Sequence, residues 1–112
     1  MHILPKNKLI RDGIPQSIID QGRTPNTRIL DDRDFEKEIF SKLVDEAKEV
    51  TETIEDPEHL SEEIADVLEV IDAIVKTKKL NLDEIQKIKA QKRNAWGGFD
   101  KKVYLDSTVE KD

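Results

Sequence analysis

The 112-residue chain carries 19 Lys and Arg against 25 Asp and Glu, a formal net charge of -6, with 39% charged, 36% hydrophobic and 4% aromatic residues and no cysteine. This length holds one modest core and predicts a single domain over residues 1–112, while the charged, aromatic-poor balance predicts helices over aromatic-rich strands. The acidity disfavours nonspecific binding to nucleic acid or an anionic membrane, and the missing cysteine excludes a disulfide framework, a thiolate zinc site and a cysteine nucleophile.

The start, Met1 to Lys6, is too short in its apolar part for a signal peptide, and no later stretch reaches the roughly 18 apolar residues of a membrane span, so the expected location is the cytoplasm. After a break at Gly13, Pro15 predicts the first residue of a short helix carrying Ile18 and Ile19. Gly22 to Asn26 is dense in turn formers and reads as a loop, from which Arg28-Ile29-Leu30 leads out.

Asp31 or Asp32 then caps a long helix, roughly Asp34 to Thr53, whose predicted apolar stripe is Phe35, Ile39, Leu43, Ala47, Val50 and Ile54. Asp56-Pro57 restarts the chain as N-cap and first helical residue of a second long helix, roughly Pro57 to Lys78, with Leu60, Ile64, Val67, Leu68, Ile71, Ile74 and Val75 as its apolar set. The short turn between them predicts an antiparallel hairpin. Asn81 with Glu84 at capping-box spacing and Leu80 with Ile85 at staple spacing start a third helix near Leu82, which ends before Gly97-Gly98. Val103 and Leu105 alternate with polar residues in a possible short extended segment, and residues 106–112 are expected to form a disordered tail. The predicted fold is therefore an all-α bundle of two long antiparallel helices plus shorter N- and C-terminal helices, completed by a homodimer or homotetramer because little material is left to cover both stripes.

Helix residues advance by about 100° each, which places Glu46 roughly 60° from the centre of the first stripe and Glu49 about 60° farther round. Glu63 and Asp66 lie on the same side of the second stripe, at roughly 80° and 140°. A single acid on a helix is ordinarily solvated surface. Two matched acid-x-x-acid pairs beside facing seams are different, because four converging carboxylates repel one another unless a cation sits among them. With no Cys and no helix-facing His, the all-oxygen ligand set Glu46, Glu49, Glu63 and Asp66 favours Mg²⁺, or Mn²⁺, over zinc.

The acids stand as Glu46-Ala47-Lys48-Glu49 and Glu63-Ile64-Ala65-Asp66, with KLIRDGIP at Lys8 to Pro15, TRIL at Thr27 to Leu30 and GGF at Gly97 to Phe99. In these motifs the sequence resembles the all-alpha nucleotide pyrophosphohydrolases of the MazG-like and phosphoribosyl-ATP pyrophosphohydrolase-like superfamily, and within it the short, single-domain house-cleaning branch. Asp45 stands where many members have a further Glu. Gly13 stands where that branch usually has a basic or long polar residue, and Trp96 where it often has Arg. The resemblance implies magnesium held by the two acidic motifs and a nucleoside triphosphate substrate, cleaved between the α and β phosphates to a monophosphate and pyrophosphate. It leaves the base open.

In that chemistry Glu46 is the preferred water-orienting residue, and Lys89, Lys92 and Arg93 on the third helix, with Arg11 from the N-terminal segment, are candidate phosphate contacts. Their alternative is ordinary surface charge. His2, in the terminus, and His59, in a first helical turn, are not expected to act in catalysis. Trp96 is read as covering a core edge, with base stacking the alternative. Phosphoribosyl-ATP pyrophosphohydrolase and a noncatalytic helical module that binds a protein partner or buffers divalent ions are the competing functions.

Overall fold

A computed structural model describes residues 7–111, and His2, the start from Met1 to Lys6, and Asp112 lie outside them. Among the described residues there are four α-helices and no strand: α1 (Ile14–Asp20), α2 (Asp32–Glu52), α3 (Pro57–Thr77) and α4 (Leu82–Trp96). The chain divides after Leu80 into two compact units, so α1 to α3 belong to the first and α4 with the segment after it to the second. No helix is long and apolar enough to cross a membrane among these residues.

Local chemistry accounts for the helix boundaries. Pro15 sits at the start of α1, where its missing N–H is an orphan donor position in any case. At the other end Gly22 turns to φ 80°, and the bonds Gly22 N–H to Ile19 O (2.9 Å) and Arg23 N–H to Ile18 O (3.1 Å) close a Schellman motif. Asp31, Asp56 and Asn81 each accept from the backbone N–H three residues on, at 2.8, 3.3 and 3.0 Å, and so cap α2, α3 and α4. Helix α4 stops at Gly97, whose φ of 79° and ψ of -178° define a conformation essentially reserved for glycine.

The end of α3 repeats the Schellman pattern with a lysine in the glycine position: Lys79 N–H donates to Lys76 O, Leu80 N–H donates to Val75 O, and Lys79 takes φ 54°. A left-handed conformation costs an L-residue roughly 1 kcal/mol that glycine avoids. Lys79→Gly is therefore expected to stabilise the protein by about 0.5–1 kcal/mol, read as a higher urea midpoint at unchanged m-value. A lower midpoint would contradict this account of the turn.

Helix α2 packs along α3. Their seam is narrower than the apolar patterns predict and is rotated from them. On α2, Ile39 is 4% exposed and Glu46 7%, with Phe35, Leu43 and Val50 half-buried, whereas Ala47 faces out. On α3 the seam runs through Leu60, Glu63, Val67, Val70 and Ile74 at steps of three and four, while the predicted stripe members Ile64, Leu68 and Ile71 are exposed. One partner helix covers only one strip of a wide apolar face, so each long helix keeps a second strip in solvent: Phe40, Val44 and Ala47 on α2, and Ile64, Leu68 and Ile71 on α3. Among the described residues the tail after Gly98 has no helix or strand; Val103 and Leu105 are both exposed.

Candidate metal centre

The rotation of the seam carries the acids inward. Glu46 on α2 and Glu63 and Asp66 on α3 present carboxylate oxygens that all lie within 4.8 Å of one another. Ligand oxygens around an octahedral magnesium at about 2.0–2.1 Å are roughly 3–4 Å apart, so modest side-chain rotation brings these atoms to ligating distance. Glu46 Oε2 and Glu63 Oε2 are buried and meet no hydrogen-bond donor among the described residues. A buried, unpartnered carboxylate oxygen is costly, and a hard divalent cation satisfies it. The donor set and its orphaned oxygens thus fit magnesium.

Glu49 lies one turn beyond Glu46, on the exposed side of the cluster. Glu46 and Glu63 are the acidic neighbours that perturb its titration. Burial pushes the pKa of Glu46 up, and the negative charges of Glu49 and Asp66 push it further, against the opposing pull of Lys42. Burial also raises Glu49, with the neighbouring Glu63 adding to the rise and Glu46 and Lys42 opposing it. Both shifts come first from desolvation, with neighbouring carboxylates adding to it.

Two cations pair with the clustered acids and a third with the neighbouring Asp45. Arg11 donates from Nη2 to Asp66 Oδ1 at 2.7 Å, Lys42 Nζ lies 3.4 Å from Glu46 Oε1, and Lys8 Nζ stands 4.0 Å from Asp45 Oδ2. The N-terminal segment therefore reaches both long helices, and Asn7, Lys8 and Leu9 line a small cleft with Ser41, Lys42 and Asp45 of α2. Lys42 was not singled out from the sequence, although its i,i+4 spacing to Glu46 is a legible ion-pair signal. Half-buried beside Glu46, it is the cation most firmly built into the cluster.

The other sequence candidates fall elsewhere. Lys89, Lys92 and Arg93 stand on α4, outside the unit that holds the carboxylates, and all three are exposed. The Arg93 guanidinium lies over Gly98, where an added Cβ would stand 3.6 Å from Nη1. Trp96 is 79% exposed and so does not cover a core edge. His59 hydrogen-bonds to its own cap, Asp56; that bond raises the imidazole pKa and lowers the carboxylate's, an arrangement that belongs to the start of α3. A second cleft, between the start of α2 and Lys78, is lined by Asp31, Arg33, Glu36 and Phe40 and contains none of the clustered acids.

No family model, no curated protein and no solved structure matches the chain.

Proposed function

We propose that the protein is a magnesium-dependent nucleoside triphosphate pyrophosphohydrolase of the all-alpha superfamily that its motifs resemble, acting in the cytoplasm on non-canonical nucleotides. The observation that carries this reading is the convergence of Glu46, Glu63 and Asp66 from two packed helices, with buried oxygens of Glu46 and Glu63 left without a donor. Glu46, Glu49, Glu63 and Asp66 would hold the ion, whose chemistry is to offset phosphate charge and polarise the scissile anhydride. Glu46, with its raised pKa and its place in the seam, orients the attacking water and accepts its proton. Release of pyrophosphate from nucleoside triphosphates, assayed with and without magnesium, tests the proposal. Phosphoribosyl-ATP hydrolysis is an alternative within the same chemistry, and a noncatalytic partner-binding module is one outside it.

The hairpin reading is antiparallel, supported by the ion pair between Lys78, just past the end of α3, and Glu36 near the start of α2. The exposed strips Phe40, Val44, Ala47 and Ile64, Leu68, Ile71 favour a homodimer or homotetramer, because contiguous apolar surface on a small chain is ordinarily covered. Sedimentation at micromolar concentration is expected to give two or four times the 12.9 kDa chain mass. A monomer there would contradict assembly through these strips.

A further inference from the structure

We propose that Arg11 is an internal cation that competes with the divalent ion for Asp66 and, once displaced, passes to the polyphosphate. This rests on the metal-centre reading above and assigns to Arg11 a transfer between two anions. Asp66 Oδ1 accepts the guanidinium at 2.7 Å, and Asp66 also supplies one of the three oxygen sets that lie within 4.8 Å of one another. A guanidinium on that oxygen places a full positive charge beside the position of a divalent ion, so the two cations repel when both are present.

Exposure decides which cation yields. The side chains of Arg11 and Asp66 are 57% and 40% exposed, so the pair is well solvated and only weakly held. Lys42, by contrast, is 24% exposed against a 10% exposed Glu46 side chain and has far less room to leave. Arg11 also lies in a segment without regular structure that precedes α1, where a long side chain swings without disturbing a helix. Released from Asp66, the guanidinium has a planar fork of donors, and the nearest new anion is the phosphate chain that enters with the metal.

The exchange predicts effects of opposite sign for two ligands. Arg11→Met is expected to bind Mn²⁺ alone about two- to fivefold more tightly than the wild type, the loss of a solvated competitor. With Mn²⁺ saturating, the same variant is expected to bind inorganic triphosphate about tenfold more weakly, the loss of charge-assisted hydrogen bonds. Arg11→Lys keeps the charge without the fork and should leave Mn²⁺ affinity near wild type while still weakening triphosphate. Arg28→Met, a change of the same charge at an exposed loop residue, should move neither constant. Isothermal titration of the full chain reads all of these. Unchanged or weaker Mn²⁺ binding by Arg11→Met overturns the exchange while leaving the metal centre standing, and so does unchanged triphosphate binding. Absence of Mn²⁺ binding by wild type and variant alike overturns both.

Discussion

Magnesium at about a hundredfold over its dissociation constant is expected to stabilise the protein by about 2.7 kcal/mol at neutral pH, an increase in unfolding temperature of roughly 10 °C for a chain of this size. The reason is the state of the acids without metal. Glu46 and Glu49 have pKa values raised above the ordinary glutamate value, chiefly by burial. In the window that begins near the ordinary glutamate pKa of about 4.3 and runs upward to the raised values, the folded state therefore holds more protons than the unfolded state. The stability these groups contribute is fully present below the window and is lost as pH rises through the raised values. Once the pH exceeds those raised values the metal-free protein has lost it, and the acids repel one another in the seam.

Two results follow. The unfolding temperature of the metal-free protein should fall as pH rises through that window, and magnesium should flatten the fall while releasing protons as it binds. Glu46→Gln should remove much of the pH dependence, because the amide never ionises and its N–H donates to a neighbouring carboxylate. It should also remove most of the stabilisation by magnesium. Differential scanning calorimetry from pH 4 to pH 8, with magnesium or with EDTA, reads both. A metal-free unfolding temperature that climbs steadily with pH would contradict the assignment.

Much of this arrangement is legible in the residues. The caps Asp31, Asp56 and Asn81, the opening prolines Pro15 and Pro57 and the Gly97 stop predict the helices to within a residue or two at most ends, because each acts through its own neighbours. The seam is less legible. The predicted apolar set of α3 supplies Leu60, Val67 and Ile74 to the packed face, but Ile64, Leu68 and Ile71 of the same set stay exposed while Glu63 and Val70, outside it, turn inward. Counting apolar residues locates a broad face but cannot choose which strip of it meets the partner helix, a choice made by packing across the pair. The same difficulty hides the burial of Glu46, which sits at the flank of the predicted stripe and in the middle of the observed one.

The acidic pairs Glu46, Glu49 and Glu63, Asp66 stand out through their spacing, and three of the four meet as metal ligands would. The cations are harder to foresee. Arg11 reaches Asp66 across 55 positions of sequence, and no local periodicity reports such a contact. Lys42 is legible as an i,i+4 partner of Glu46, but its half-burial beside that acid comes only from the packing of α2 on α3. Lys89, Lys92 and Arg93 show the converse, since a basic helix face has the same pattern whether it meets a ligand or solvent.

Pyrophosphate release measured side by side in wild type, Glu49→Gln, Asp66→Asn and Glu110→Gln tests the four-carboxylate site most directly, with a panel of common and damaged nucleoside triphosphates as substrates. Glu49→Gln and Asp66→Asn preserve shape while removing ligand charge, and each should lower magnesium-dependent turnover by on the order of a hundredfold or more, about 2.7 kcal/mol of barrier. Glu110, exposed in the tail and outside both acidic motifs, makes the same charge change, and its variant should turn over within about twofold of wild type. Circular dichroism on each variant keeps loss of fold separate from loss of chemistry. The account predicts magnesium-dependent monophosphate and pyrophosphate from at least one triphosphate, abolished in the first two variants and retained in the third. Equal rates and equal magnesium dependence in Glu49→Gln, Asp66→Asn and Glu110→Gln would contradict it.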